Sequence, residues 1–309
     1  MNIVFFGSSL FSLHFLQHLF LNRKDNLTVI TTPDKPRGRG FKILSNSIKE
    51  FCLKNGLKFY QYEDINSLPA KQDLNAINAD LFLVVAFGQR FSKETLEIPR
   101  LFSMNIHASF LPKYRGAAPI NWAIIKGEKQ TGISIIKMEE KIDAGPVILQ
   151  KKLDIDDRDD VSALTEKLIC LGKEMLIEAL EKIESNNVVF MPQDEKEASF
   201  APRLKKKDGL IFWEKPAQAV YNLIRGCYGW PSAFTYYKKK LLKIHKAEYI
   251  KYEGKTKPGE IVDVAPEGIL VACAQDGILI KELQLESKRR MPVEDFLCGY
   301  KINIGEKLG

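Results

Sequence analysis

An amide and an imidazole stand two positions apart at the end of a short apolar run, as Asn105 and His107. Because side chains two apart on an extended strand point to the same side, this spacing predicts that both face one spot. A carboxylate, Asp143, follows about 35 residues later in the sequence KIDAGP. An amide, an imidazole and a carboxylate are the groups needed to move an acyl group without a covalent intermediate.

Each of the three side chains suits one part of such a transfer. The amide of Asn105 can donate to the oxygen of a carbonyl under attack, and one such donor contributes on the order of 3 kcal/mol. His107 is of the residue type that titrates near neutrality, which suits proton transfer. Asp143, if it lies beside His107, orients the ring, favours its protonated form and can take a proton from an attacking amine.

Two other interpretations stay open from spacing alone. Ser109 is the nearest nucleophile, but it lacks the G-x-S-x-G context of a nucleophile elbow, which disfavours a covalent serine mechanism. In the purely structural interpretation, Asn105 caps a turn, His107 is an ordinary half-buried histidine and Asp143 is a turn residue.

A longer block of sequence favours the catalytic interpretation. The run NIHASFLPKYRGAAPI, which starts at Asn105, and the later IDAG resemble the signature of the folate-dependent formyltransferases. In that family the Asn, His and Asp are the catalytic trio, which implies this role for Asn105, His107 and Asp143. The resemblance covers nearly the whole chain.

The resemblance also implies a folate site. The family's S-L-L-P segment lines that site, and the end of the preceding buried strand holds the pterin through backbone groups. The implied contacts are Ser109, Phe110, Leu111, Pro112, Ala86, Phe87, Gly88 and Gln89. The implied formyl donor is 10-formyltetrahydrofolate, and no metal is required.

A basic segment, PDKPRGRGFK at residues 33–42, combines prolines and glycines with several cationic residues. This composition predicts an exposed, mobile, cationic loop instead of a packed element. It resembles the loop that one branch of the family uses on the acceptor end of methionyl-tRNA. The cations of this segment, Lys35, Arg37, Arg39 and Lys42, are the expected tRNA contacts, and the resemblance carries over Arg39, in the motif G-R-G.

Positive charge is concentrated in the second part of the chain. Between Arg203 and Lys257 there are 14 Lys or Arg against 4 Asp or Glu, a net +10, whereas the whole chain is +7. The simplest interpretation of this charge is a solvent-exposed face without a binding role. Together with the formyltransferase block, the charge predicts an RNA-binding surface for initiator methionyl-tRNA, with contacts from Lys205, Lys206 and Lys207.

The order of predicted elements indicates an α/β fold. A buried strand over residues 2–6, a turn at Gly7 and an amphipathic helix open a doubly wound, Rossmann-like formyltransferase domain. Short strands with Gly and Pro turns after residue 233 predict a small OB-like β-barrel. We expect a catalytic domain at 1–190, a linker at 191–207 and a basic β-barrel tRNA-binding domain at 208–309.

Composition bounds the class of protein. The hydrophobic share of 45% and charged share of 28% are typical of a soluble globular protein. Five scattered cysteines without a C-x-x-C pair indicate a reducing cytoplasm and disfavour a thiolate metal cluster. The apolar start lacks a positive segment and a cleavage site, and polar residues interrupt it, so we expect neither a signal peptide nor a membrane span. The prediction is a monomeric cytoplasmic enzyme.

Alternative functions share parts of this pattern. A formyltransferase for an amino-sugar nucleotide or a purine precursor has the same trio, but needs neither the basic second domain nor the G-R-G loop. A formyl-folate hydrolase replaces the amine with water. A non-catalytic RNA-binding protein on the same fold predicts the loss of at least one member of the trio, and all three are present.

Overall fold

The protein is described by a computed structural model covering residues 1–37, 42–44 and 46–309. Its contacts divide into two compact units. Unit 1 comprises Met1–Pro119, Thr131–Asp154 and Thr165–Ala201, and unit 2 comprises Ile120–Gln130, Ile155–Leu164 and Pro202–Gly309. The predicted linker at 191–207 therefore divides between the units after Ala201, and the predicted domain limits stay predictions.

The first nine strands among the described residues are distributed over one large sheet and one small ribbon. They are β1 (Asn2–Gly7), β2 (Asn26–Thr31), β3 (Lys35–Arg37), β4 (Lys42–Leu44), β5 (Lys58–Gln61), β6 (Leu81–Val85), β7 (Phe102–His107), β8 (Gln130–Lys137) and β9 (Val147–Asp154). The large sheet has the order β5-β2-β1-β6-β7-β8-β9. The first five strands of that order, β5, β2, β1, β6 and β7, are parallel, and β8 runs antiparallel to β7.

The strand order confirms the α/β class. The chain moves from β1 outward to β2 and β5, and then returns to place β6 on the other side of β1. This reversal is the switch point of a doubly wound sheet, where ligands collect beyond the carboxyl ends of the strands. In β1 and β6 those ends are Gly7 and Val85.

In the described ranges, six helices alternate with these strands or follow them in the chain. They are α1 (Leu10–Asn22), α2 (Ser47–Asn55), α3 (Leu68–Ala76), α4 (Lys93–Leu96), α5 (Pro119–Ile125) and α6 (Val161–Glu184). Ser9 caps α1 in a capping box with Ser12, which explains why the helix starts directly after the Gly7 turn. Residues 3–6 of β1 are fully buried, as expected for a central parallel strand. No helix in the described ranges is long and apolar enough to span a membrane.

The backbone of the basic segment differs from the prediction of an irregular loop. Strands β3 and β4 pair as an antiparallel ribbon, with Arg37 opposite Lys42 and Pro36 opposite Ile43. A two-stranded ribbon has only edge strands, and an edge tolerates a proline that lacks an N–H. This explains how a strand forms despite the proline that favoured a loop.

Unit 2 contains a separate antiparallel sheet. Its elements are α7 (Ala217–Gly226), β10 (Ala233–Tyr237), β11 (Lys240–Ile250), β12 (Ile261–Ala265), β13 (Gly268–Ala272), β14 (Gly277–Leu285), β15 (Met291–Pro292) and α8 (Val293–Gly299). The order is β10-β11-β14-β13-β12, with β15 also paired to β14. Val220, Ile224 and Phe296 pack from the helices into its core. The predicted β-rich second part is confirmed as an antiparallel sheet. Among the described strands its order is open, so barrel closure is not seen.

Candidate active site

Asn105 and His107 lie at the carboxyl end of β7. Asn105 is aligned with Val84 on β6 and Ile136 on β8, so the pair projects from an interior position of the sheet. His107 is buried, with 6% exposure, whereas Asn105 is partly exposed. The alternation of the strand therefore places both groups on one face, as the spacing predicts.

The turn after β8 brings Asp143 to both of these side chains. Asn105 donates through Nδ2 to Asp143 Oδ1 at 3.3 Å. His107 Nδ1 lies 3.5 Å from Asp143 Oδ2, an ion-pair distance too long for a strong hydrogen bond. The structure thus collects the amide, the imidazole and the carboxylate at one point, although 36 residues separate the last two in sequence.

A backbone carbonyl fixes the other side of the His107 ring. Nε2 donates to Tyr114 O at 2.9 Å, and because a carbonyl can only accept, this contact places a proton on Nε2. The ring is therefore held between a carbonyl and a carboxylate.

Of the residues that the structure describes, three non-glycine residues around this point have left-handed backbones. They are Ala86, Tyr114 and Asp143, with φ of 45°, 62° and 51°. Such conformations cost on the order of 1 kcal/mol or more each and persist only when neighbouring groups hold them. The loops at the ends of β6, β7 and β8 are thus each held in a sparsely populated shape.

The predicted folate segment 109–112 is tied to β8 and β9 by a small polar network. Ser134 Oγ donates to Ser109 O at 2.6 Å and accepts from Leu111 N at 3.0 Å. Gln150 Nε2 donates to Leu111 O at 2.7 Å and to Ser134 Oγ at 2.8 Å. Ser109 Oγ itself donates to Lys113 O at 2.7 Å. The Ser109 hydroxyl is therefore engaged in holding the turn.

The other residues of this segment differ in accessibility. Leu111 is buried beside Ile136, whereas Phe110 and Pro112 are partly exposed. Lys152 Nζ lies 4.9 Å from the centre of the Phe110 ring.

The predicted residues 86–89 follow β6 at the switch point. Ala86 and Gly88 are exposed, whereas the Phe87 side chain is buried in the core against Phe6. Gln89 uses its amide internally, donating to Tyr62 O at 2.9 Å and accepting from Ile65 N at 2.8 Å. This stretch consequently offers its backbone, more than its side chains, to a ligand.

The predicted tRNA contacts fall into two groups. Lys35 and Arg37 lie in β3 and Lys42 in β4, whereas Arg39 lies outside the described residues. Lys205, Lys206 and Lys207 are exposed at the start of a short 3₁₀ helix, Lys206–Gly209. Within the ranges that the structure describes, no three His, Cys, Asp or Glu side chains are grouped as metal ligands.

Sequence reasoning missed the side chains that support the trio. Arg115 is 1% exposed and Gln193 contacts the Asp143 turn. Arg115 stands inside the quoted sequence block, and a cation directly before the small apolar run at residues 116–118 was the available signal. Gln193 is far away in sequence and gives no local signal.

The strands and the switch point define an α/β unit in which an amide, an imidazole and a carboxylate meet, and the chain continues into an antiparallel sheet. The sequence matches the Formyl transferase family over residues 1–180 and the Formyl transferase C-terminal domain over residues 203–301. The chain belongs to the formyl transferase family.

Individual relatives agree with this assignment. The chain is 41% identical over 310 residues to the methionyl-tRNA formyltransferase of Acetivibrio thermocellus, covering 100% of both chains. It is 41% identical over 304 residues to the protein of that name from Thermodesulfovibrio yellowstonii, covering 98% and 97%. Its fold resembles an N-formyltransferase of Helicobacter canadensis solved with folinic acid and dTDP-3-aminofucose, with a TM-score of 0.68, 19% identity and coverage of 91% and 98%.

Proposed function

We propose that the protein transfers the formyl group of 10-formyltetrahydrofolate to the α-amino group of methionine on initiator tRNA, giving N-formylmethionyl-tRNA. The observation that carries this proposal is the meeting of Asn105, His107 and Asp143 at the carboxyl end of β7. The full-length identity to methionyl-tRNA formyltransferases supports the choice of acceptor.

The trio divides the chemistry of a direct transfer. The amine attacks the formyl carbon, a C–N bond forms, and negative charge collects on the formyl oxygen. Asn105 uses one N–H on Asp143 and has a second for that oxygen. A protonated His107, facing the Asp143 carboxylate, adds positive charge beside it. The amine loses a proton, which Asp143 can accept, and the folate nitrogen gains one as its bond to the formyl carbon breaks.

The folate is expected at the switch point of unit 1. Exposed backbone at Ala86 and Gly88 supports binding of a planar ring by N–H and C=O groups, and Ser8 Oγ holds this stretch by donating to Phe87 O at 2.7 Å. Phe110 and Pro112 supply partly exposed apolar surface on the neighbouring turn. Positioning two bound substrates supplies much of the rate in such a reaction.

Unit 2 is proposed to bind the tRNA through an OB-like antiparallel sheet. The exposed lysines 205–207 and the net +10 between residues 203 and 257 support this role. The rings of Phe234 and Tyr236 on β10 lie edge to face, with their centres 6.0 Å apart, and Lys243 on β11 lies opposite Phe234. Aromatic and cationic groups on one strand face are the elements that bind nucleic-acid bases and phosphates. We further propose that the protein acts as a monomer in the cytoplasm.

The test is transfer of labelled formyl from 10-formyltetrahydrofolate to methionyl-initiator tRNA by the wild type, His107→Ala and His14→Ala. His14 is exposed on α1 and serves as the matched control. We expect rapid labelling by the wild type and the control, and loss of at least about 100-fold in His107→Ala. Labelling of an amino-sugar nucleotide but not of charged tRNA refutes the acceptor assignment. Release of formate without transfer identifies a hydrolase, and tRNA binding without any transfer identifies a binding protein.

A further inference from the structure

Residues 191–201 cross two loops of unit 1, and we call this segment the strap. Its first residue, Met191, exchanges two backbone hydrogen bonds with Val147, at 2.8 and 2.9 Å. Its last residue, Ala201, donates to Arg115 O at 2.7 Å and accepts from Ala118 N at 3.1 Å. One end is therefore fixed on the strand that follows the Asp143 turn, and the other on the loop that follows His107.

Gln193 joins the strap to the backbone of the Asp143 turn. Its Nε2 donates to Asp143 O at 2.8 Å and to Gly145 O at 2.7 Å. Its Oε1 accepts from Arg115 Nε at 3.1 Å and Nη2 at 2.8 Å. Both N–H groups and the carbonyl of this one amide are used, so its orientation is fixed from both sides.

Arg115 supports Gln193 through its two hydrogen bonds to the amide oxygen. It is 1% exposed, and its Nη2 also donates to Glu195 Oε1 at 2.8 Å. The Arg115 guanidinium, helped by Lys141, lowers the pKa of Glu195 to about 2. Within the described residues Arg115 Nη1 is buried without a hydrogen-bond partner, which opposes folding because a buried donor gives up its bonds to water. A cation kept in such a place is poorly explained by stability alone.

The strap holds the second loop through Ser199. Ser199 Oγ accepts from Tyr114 N at 2.9 Å, and Ser199 O accepts from Arg115 N at 2.8 Å. Tyr114 O is the acceptor for His107 Nε2. The strap therefore contacts the backbone of Asp143 on one side and, on the other, the residue whose carbonyl holds the His107 ring.

We propose that Gln193, held by hydrogen bonds from Arg115, is a positioning residue. It fixes the position of the Asp143 carboxylate relative to His107 and Asn105. This inference rests on the proposed function for its catalytic consequence. Asp143 has a left-handed backbone, φ 51°, which requires support from its surroundings. Gln193 supplies that support by donating hydrogen bonds to the backbone carbonyls of Asp143 and Gly145. A displacement of about 1 Å in such a group can cost on the order of 100-fold in rate.

Two variants separate positioning from simple support of the fold. Gln193→Met keeps the length of the side chain and removes all of its hydrogen bonds. Gln193→Glu keeps an acceptor for Arg115 but removes both donors to the Asp143 turn. Gln218→Met is the matched control, because Gln218 is an exposed glutamine on α7 whose Nε2 donates to Asn222 Oδ1.

The first measurement is steady-state transfer to methionyl-tRNA. In both Gln193 variants we expect kcat to fall about 10- to 100-fold, with KM for each substrate unchanged within about twofold. Gln218→Met is expected to keep wild-type kcat. A rise in KM with unchanged kcat contradicts positioning of the reacting groups.

The second measurement does not depend on activity. The chain has 4 histidines, so ¹⁵N-histidine labelling gives a small set of ring resonances, and His107→Ala assigns those of His107. We expect Gln193→Met to move the Nδ1 resonance of His107, which faces Asp143, and to leave those of His14, His18 and His245 in place. An unchanged His107 resonance overturns the proposal. A changed resonance in a protein that formylates no tRNA supports the positioning and refutes the proposed function.

Discussion

Asp143 Oδ2 accepts a hydrogen bond from the backbone N–H of Gly116 at 2.8 Å. The same oxygen lies 3.5 Å from His107 Nδ1, and the other oxygen of this carboxylate accepts from Asn105 Nδ2. The loop after His107 is thus tied to Asp143 by main chain as well as by side chains. The carboxylate is therefore held by two side chains at the end of β7, Asn105 and His107, and by the main chain of Gly116 in the loop that follows.

Asp143→Asn tests the charge of this group. An Asn side chain retains one oxygen for the N–H of Gly116, but it removes the negative charge facing His107 and turns an NH₂ group toward Asn105. We expect single-turnover formyl transfer at saturating substrate to fall about 100- to 1,000-fold. The free energy of unfolding in urea should change by less than about 1 kcal/mol, because the site is partly exposed. Transfer within threefold of the wild type contradicts the assigned role.

Gly116→Ala tests the close approach of backbone at the same place. A Cβ at Gly116, where φ is 120°, lies 2.8 Å from Ala201 O. Gly56 is the matched control, because its φ is 65° and a Cβ there meets nothing within 4 Å. We expect Gly56→Ala to cost about 1 kcal/mol from backbone strain alone and Gly116→Ala about 2–4 kcal/mol. Urea unfolding measures both, and equal costs contradict a steric effect at Gly116.

Local pattern predicts that Asn105 and His107 face one spot, because this geometry is local, whereas the role of Asp143 beside them was implied by the family resemblance. Asn105 and His107 share a face through the two-residue period of a strand, and the glycine that follows Asp143 closely indicates a turn. The parallel strands were also predictable, since β1 is apolar throughout and Ser9 caps the helix that follows. In each case the signal lies within a few residues of the feature.

The supporting groups were not predictable, because their contacts join distant parts of the chain. Gln193 reaches Asp143 across 50 residues, and Ser134 reaches Ser109 across 25. A polar residue in an irregular segment gives no indication of its partner until tertiary packing brings them together. The ribbon of β3 and β4 was missed for a related reason, since prolines and glycines exclude a central strand but not an edge pair.

Glu195→Gln tests the ionised network below Arg115. The hydrogen bond from Arg115 holds the pKa of Glu195 at about 2, below the usual 4.5. A lowered carboxyl pKa stabilises the folded state above the unfolded pKa, and this stabilisation disappears as the pH falls toward the folded value. The free energy of unfolding of the wild type should therefore exceed that of Glu195→Gln at pH 7. This gap in free energy should narrow below about pH 4.5 and close near pH 2. Urea unfolding across this range measures the gap, with Glu197→Gln as control. A gap that stays constant from pH 7 to pH 3 contradicts the shifted pKa.

The lysines 205–207 test whether the charge of unit 2 binds tRNA or only faces solvent. All three are exposed, so replacing them with Ala should leave the fold intact. A lysine that binds a tRNA phosphate releases counterions, so binding weakens as salt concentration rises. The slope of the logarithm of the tRNA binding constant against the logarithm of salt concentration should therefore become shallower by about 0.9 for each phosphate that is no longer bound. The control replaces Lys24, Lys54 and Lys93, three exposed lysines of unit 1, and removes the same charge elsewhere. Titration of labelled initiator tRNA at several salt concentrations gives both slopes. Equal slopes for the two triple variants show an effect of net charge alone, whereas a shallower slope only in the 205–207 variant locates tRNA phosphates at this 3₁₀ helix.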